Sequence, residues 1–380
     1  FYAAPIRSRQ RGFLHYQTFV GGKKTQQSHR LFMMQPIEGS ALAQLNIHIS
    51  PLSQLVSALQ SMLRMPTGCF EQTSSSNYPN VLVMQLLQNS KTDEAFKEKA
   101  LAALQEGYKR LTSYECKGGG FSWFGNEPAH EALTAYGLLQ FYEMRKVYAV
   151  DAQMLTRTEQ WLKSRRNGKG GWNVSNGYSK SWGNVDIAES YITWAMTESN
   201  YAGNFLPEIN YALTKAKKSK DAYLMALSAL SLYNLRDTLR ARKLTQEILE
   251  QRDSLYSVSG KFGSITASQG KALRVETTAL LALAVLRDSL LRAQHAAPLM
   301  DYLLSCKDAY GYGSTQGTAL CLRAIIDYEK SQAQARKDGR AIVLLDGKEI
   351  ARIDFRADQL TAGSSALALA AKDGNQQIEV

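Results

Sequence analysis

The sequence predicts a mainly helical fold, a succession of stacked helical hairpins with β segments at either end. Three observations lead there. The apolar residues alternate in the first fifty positions, take a helical period from Ser53 and return to alternation after about Lys337. Within the helical part, a glycine–aromatic signal recurs ahead of successive apolar runs. From Thr134 to Thr318 there are 184 residues in four steps, 46 per step. A period of that size belongs to helical pairs that cannot bury their apolar faces alone and stack to do so.

In order along the chain, Leu31–Met34 and then Leu42, Leu45, Ile47 and Ile49 read as strands, with Gly21-Gly22 as a turn and Pro36 and Pro51 as stops. Leu55, Val56, Leu59, Met62 and Leu63 share one helical face, capped by Ser53 and stopped by Pro66. Pro79 reads as the first residue of the next helix. Inner helices are expected near Thr134, Tyr191, Leu224, Thr277 and Thr318. Four of them follow Gly119-Gly120-Phe121, Gly170-Gly171-Trp172, Phe262-Gly263 and Gly311-Tyr312-Gly313. The glycines permit tight turns and the aromatics fill the space between hairpins. Periodicity leaves open whether the hairpins extend as a solenoid or close into a ring. Ile342–Leu345, Asp346-Gly347 and Ile350–Phe355 form a β-hairpin signal, and Leu367–Ala371 and Ile378–Val380 suggest further strands. The simplest arrangement pairs the two β flanks, Leu31–Ile49 and Ile342–Val380, in one small domain.

Composition excludes several classes. The chain has 380 residues, 44% hydrophobic and 21% charged, which is ordinary globular usage. It contains no apolar run of about 18 residues, the length needed to span a bilayer as a helix. It begins with Phe1 and reads as a piece of a longer protein. The net charge is +11, but acids and bases alternate except in the opening cluster Arg7, Arg9, Arg11, Lys23, Lys24 and Arg30. That cluster reads as solvated surface or an inter-domain contact, not a nucleic-acid site. Four cysteines with no C-x-x-C pair exclude a disulfide framework and a zinc ribbon. No metal or cofactor is expected.

The chemistry is concentrated in Pro66-Thr67-Gly68-Cys69-Phe70-Glu71-Gln72-Thr73. Proline and glycine break one helix just before the cysteine. Cys69 and Gln72 are three apart, so a helical turn puts thiol and carboxamide on one face. A helix start also favours thiolate character. Glu71 reads as a first-turn carboxylate favoured by the helix dipole.

This stretch resembles the G-C-x-E-Q thioester motif of the α2-macroglobulin and complement component C3 family. The order Ile49-Ser50-Pro51-Leu52, short helix, Pro66 to Thr73 is similar to the bacterial α2-macroglobulins. So are Gly120 to Gly125, Leu133 to Tyr136, Val275 to Leu280 and Gly311 to Gln316. The resemblance implies an α/α toroid, the thioester domain over 51–335, inserted into a CUB-like β-sandwich made of 1–50 and 336–380. It implies a bond in which the cysteine sulfur has displaced the amide nitrogen of the glutamine. It further implies a single-use trap, not an enzyme: a protease cuts a bait region and is captured covalently. The implied partners are proteases and the other domains of the parent chain. The implied location is the bacterial cell envelope, with the periplasm first and the cell surface or secretion as alternatives, and any membrane contact would run only through a lipid anchor on the parent.

Departures from the family pattern refine these expectations. Animal members usually carry glycine at the position of Phe70, whereas bacterial relatives tolerate a larger residue. Phe70 and Tyr78 are the local candidates to shield the bond. Family members that favour hydroxyl targets carry a histidine in the loop here represented by Asn173 to Asn184, which contains none. Direct attack by a primary amine is therefore expected. In the family a receptor-binding-type domain supplies much of the shield. In this chain alone the bond is accordingly expected to be hydrolysed or unformed.

Other readings of the residues remain open at this point. One is a non-reactive structural homologue in which Cys69 and Gln72 stay unbonded. A toroidal glycosidase would need facing carboxylates, for which Asp186, Glu189 and Glu276 are the candidates. A cyclase would need an Asp-rich cluster that the sequence lacks, and prenyltransferase zinc would need more ligands than five scattered histidines offer. A Cys/His hydrolase would need a histidine beside Cys69. No sequence feature brings one there, and His130, between Pro128 and Glu131, reads as structural and not as a base for Cys69.

Overall fold

The computed structural model describes residues 28–33, 43–48, 63, 65–87, 94–174, 184–199, 203–307, 311–332, 338–355, 364–369 and 374–380. The helix expected over Ser53–Leu63, the Gly21-Gly22 turn, the basic cluster before Arg30 and most of the Asn173–Asn184 loop lie outside the described residues.

Eleven helices occur among the described residues: α1 (Phe70–Leu87), α2 (Glu94–Thr112), α3 (Glu131–Met144), α4 (Ala152–Ser164), α5 (Val185–Glu198), α6 (Leu206–Ser219), α7 (Ala222–Asn234), α8 (Thr238–Leu249), α9 (Gly270–Leu286), α10 (Ser289–Ser305) and α11 (Thr315–Gln332). Odd-numbered helices pack in sequence, α1 on α3, α3 on α5, α5 on α7, α7 on α9 and α9 on α11, and α11 packs back on α1. The hairpins thus close into an α/α toroid. Thr134, Tyr191, Leu224, Thr277 and Thr318 all lie on inner helices, and α1 is the sixth. Inner helices are enclosed on all sides: in α9 every residue from Val275 to Leu286 is buried. Outer helices bury one stripe, as α4 does with Met154, Leu155, Thr158 and Leu162.

The glycine–aromatic turns hold inner helix to loop. Phe121 N–H donates to Thr134 Oγ1 at 2.8 Å, Tyr312 N–H to Thr318 Oγ1 at 3.0 Å, and Trp172 Nε1 to Thr193 Oγ1 at 2.9 Å. All three aromatics are buried. At Gly120 (φ 76°) a Cβ would lie 2.7 Å from the ring of Trp161 on outer helix α4, so this glycine also admits the neighbouring helix. Phe262 departs from the expected role and is about half exposed. Asp221 Oδ2 accepts the N–H groups of Lys261 and Phe262, and Ile265 takes the buried place. Pro79 also departs from expectation, because α1 runs through it. Proline inside a helix costs about 3 kcal/mol. The near-continuous burial from Asn77 to Val83 offsets that cost.

The C-terminal ends of the other five inner helices meet in a polar cluster around Arg323, midway along α11 and itself buried. Arg323 pairs with Glu198 of α5 and lies 3.6 Å from Glu143 of α3. Glu198 also accepts from Arg287 at 2.6 Å, Asn234 at 2.8 Å and Trp194 Nε1 at 3.2 Å. Gln85 of α1 donates to Glu143 at 2.7 Å. Six inner helices therefore share one network, and their N-termini face the opposite side of the ring.

Among the described residues six strands accompany the ring: β1 (Ser28–Met33), β2 (Ala43–His48), β3 (Gly339–Leu345), β4 (Lys348–Phe355), β5 (Ser364–Leu369) and β6 (Gly374–Glu379). They form a sheet of order β1-β6-β3-β4 and a pair β2-β5, so strands from before the ring are hydrogen-bonded to strands from after it. Asp346 (φ 51°) and Gly347 (φ 77°) make the two-residue hairpin turn, with both residues left-handed. Val343 and Ile378 of the larger sheet pack with Leu45 and Leu367 of the smaller, giving the strands an apolar cluster of their own.

Candidate functional site

Gly68 precedes α1 with φ 84°, a conformation suited to glycine. The first helical bond, Thr73 N–H to Cys69 O at 2.8 Å, makes Cys69 the N-cap residue and Gln72 the third helical residue. Gln72 Oε1 accepts the backbone N–H of Cys69 at 3.1 Å. This is the reciprocal half of a capping box, in which the side chain of the third residue reaches back to the cap amide. The donor at Cys69 also fixes which end of the carboxamide is oxygen. Cys69 is half-buried and Gln72 exposed. A Cβ at position 68 would lie 2.0 Å from Gln72 Oε1 and 2.9 Å from its Cδ, so the missing side chain of Gly68 is the space the carboxamide occupies.

The Gly68 carbonyl is held from the other side. Tyr114 Oη donates to it at 2.6 Å, Arg110 Nη2 at 3.2 Å and Thr73 Oγ1 at 3.3 Å. Arg110 also reaches Tyr114 Oη at 3.4 Å. Arg110 and Tyr114 come from the end of α2 and the turn after it. Nothing in the local sequence marks them, and they were not among the expected site residues.

Phe70 and Tyr78, the expected shielding candidates, are both buried. Phe70 is fully buried, with its ring 5.0 Å from Phe121 and 6.2 Å from Tyr114. It also presses on Gly137 of α3, where a Cβ would lie 2.5 Å from Phe70 Cζ. Its N–H donates to Trp123 O at 2.9 Å. Phe70 thus anchors the start of α1 in the core. Tyr78 is buried in the ring, edge-on to Tyr136, and burial pushes its phenol well up. On the two segments joined by the Phe70–Trp123 bond, the exposed apolar side chains are Met65 and Phe124. Glu71, in the first turn of α1, accepts from Trp123 Nε1 at 3.3 Å.

His130 caps α3, its Nδ1 accepting Leu133 N–H at 3.2 Å, with its ring 4.8 Å from Trp123. Burial lowers its pKa. Asp186 pairs with Lys215, and Glu189 lies 3.4 Å from the same amine while accepting Trp172 N–H at 3.0 Å. Glu276 instead accepts the hydroxyls of Ser268 at 2.6 Å and Ser314 at 2.7 Å, and burial raises its pKa. The three acids share no common partner. Cys116, Cys306 and Cys321 are buried free thiols. No group of acids, histidines and cysteines suited to a metal occurs among the described residues.

Residues 43–328 match the A-macroglobulin TED domain family. The chain is 23% identical over 299 residues to a protein named complement C3 from Lethenteron camtschaticum, an alignment covering 72% of this chain and 18% of that protein. It therefore spans about a fifth of the length of that relative. Ring, motif and match agree that the chain belongs to the A-macroglobulin TED domain family.

Proposed function

We propose that Cys69 and Gln72 form an internal thioester and that the chain is the reactive part of a single-use covalent protease trap. In bond formation Cys69 Sγ attacks Gln72 Cδ. The Sγ–Cδ bond forms, the Cδ–Nε2 bond breaks, and the thiol proton leaves with the nitrogen as ammonia. In capture, an amine attacks Cδ, the Cδ–Sγ bond breaks, and the amine proton passes to the departing thiolate. No net oxidation occurs in either step. The observation that carries this reading is the contact of Gln72 Oε1 with Cys69 N–H over the bare Cα of Gly68. It brings the carboxamide onto the backbone of the cysteine at an exposed helix start.

On this proposal the bond belongs to a longer macroglobulin-type polypeptide, whose bait cleavage exposes it and whose other domains shelter it. A lysine of the attacking protease is the favoured target, because the stretch Asn173–Asn184 offers no histidine to relay the acyl group to hydroxyls. A bacterial envelope location, periplasmic and with a lipid-anchored parent, goes with the same reading. The glycosidase alternative is disfavoured by the lysine shared between Asp186 and Glu189 and by the serines that hold Glu276.

Intact mass tests the proposal in the full-length polypeptide that carries this chain. The bonded protein is lighter by one ammonia, and methylamine adds its own mass while freeing one thiol. A protein with no mass deficit and a Cys69 thiol titratable before methylamine overturns it.

A further inference from the structure

We infer that Arg110 and Tyr114 are positioning residues for the thioester chemistry: by holding the Gly68 carbonyl they aim the Cys69 amide at Gln72 Oε1, where it stabilises developing negative charge. The inference rests on the thioester reading and specifies how that site works.

The planarity of one peptide unit couples the two contacts. Gly68 C=O and Cys69 N–H belong to the same peptide, and in a trans peptide the two groups point in opposite directions. Fixing the carbonyl therefore fixes the amide. Three donors fix it: Tyr114 Oη at 2.6 Å, Arg110 Nη2 at 3.2 Å and Thr73 Oγ1 at 3.3 Å. On the opposite side the amide meets Gln72 Oε1 at 3.1 Å. The grip is needed because Gly68 is intrinsically permissive. At φ 84° with no side chain, the peptide that follows it would otherwise rock readily.

Attack on Gln72 Cδ, by Cys69 sulfur during formation or by an amine during capture, moves an electron pair onto Oε1. Collapse of that oxyanion expels ammonia in the first case and the Cys69 thiolate in the second. A backbone N–H already directed at the oxygen lowers both barriers without reorganisation, as in an oxyanion hole. The same hydrogen bond that caps α1 thus polarises the acyl carbon. Arg110 adds a fixed positive charge beside the peptide, and Tyr114 ties the arrangement to the core through its edge contact with Phe70.

The test compares the full-length polypeptide with the double variant Arg110→Gln/Tyr114→Phe and with Tyr114→Phe alone, which keeps the ring against Phe70. The readouts are the rate of thiol release by methylamine and the infrared stretch of the thioester carbonyl in protein labelled with heavy-isotope glutamine. The double variant is expected to react roughly ten- to a hundred-fold more slowly. Its carbonyl band should move to higher wavenumber as the hydrogen bond weakens, and Tyr114→Phe should show a smaller change of the same sign. A double variant that forms no bond yet melts at the wild-type temperature also supports the inference. If it melts lower, Tyr114→Phe decides by the same two readouts. An unchanged rate, or a slower rate with an unmoved band, overturns the positioning role while leaving the thioester reading intact. A wild-type protein without the bond overturns both.

Discussion

Glu198 is the carboxylate on which the closed ring is expected to depend most, and its removal has a calculable consequence. Burial by itself would raise its pKa. The Arg323 and Arg287 guanidiniums, with Asn234, instead hold it at about 2, below its ordinary 4.5. At about 1.4 kcal/mol per unit, that depression corresponds to about 3 kcal/mol of folding stability. The sign follows from the depressed value: the contribution is complete above pH 4.5 and is lost as pH falls towards 2. Glu198→Gln keeps the shape and removes the charge. At neutral pH it leaves Arg323 and Arg287 facing each other, at a cost of about 3 kcal/mol, the lower end for breaking a buried ion pair. Denaturant titrations of both proteins from pH 7 to pH 2 provide the assay. Wild type should lose about 3 kcal/mol more than Glu198→Gln across the acid window. Parallel acid limbs, or a variant as stable as wild type at neutral pH, would refute the argument.

Further outcomes are expected at the motif. Cys69→Ala should abolish covalent capture in a protease-incubation gel and leave the ring folded, costing less than about 1 kcal/mol by thermal melting because the thiol is only half-buried. Gly68→Ala should prevent the bond by mass, since its Cβ would occupy the place of Gln72 Oε1. The same variant should also lose about 1–2 kcal/mol from the left-handed backbone. Methylamine should release the Cys69 thiol far faster than glycerol forms an ester, and comparable rates would contradict the amine preference.

The inner helices were legible because an enclosed helix is apolar on every side. Runs such as Thr277–Leu286 and Tyr223–Leu232 therefore stand out whatever surrounds them. Cys69 and Gln72 were legible for a local reason, their spacing across one turn. Ring closure was not, because it rests on α11 packing back on α1, the last described helix on the first. Arg110 and Tyr114 lie 42 and 46 residues from the carbonyl they hold. No short-range pattern encodes such a meeting. The core position of Phe70 was not legible, although it adjoins the reactive pair in sequence. One residue is about a 100° turn of the helix, and that turn directs Phe70 into the core beside Gly137. Pro79 misled because burial outweighs a local helix-breaking preference.

The pairing of β1 with β6 bears on the order in which the chain assembles. Ser28 Oγ and Gln377 Nε2 meet at 2.9 Å although 349 residues separate them. Bringing such distant ends together in an open chain costs about 5 kcal/mol of loop entropy beyond the constant initiation term. Once α11 has docked on α1, the intervening helices no longer count as slack. The gap then behaves as a loop of roughly 90 residues, and the cost falls by roughly 1 kcal/mol. The ring thereby acts as an entropic clamp for the strands, so sheet formation is expected to follow toroid formation during refolding.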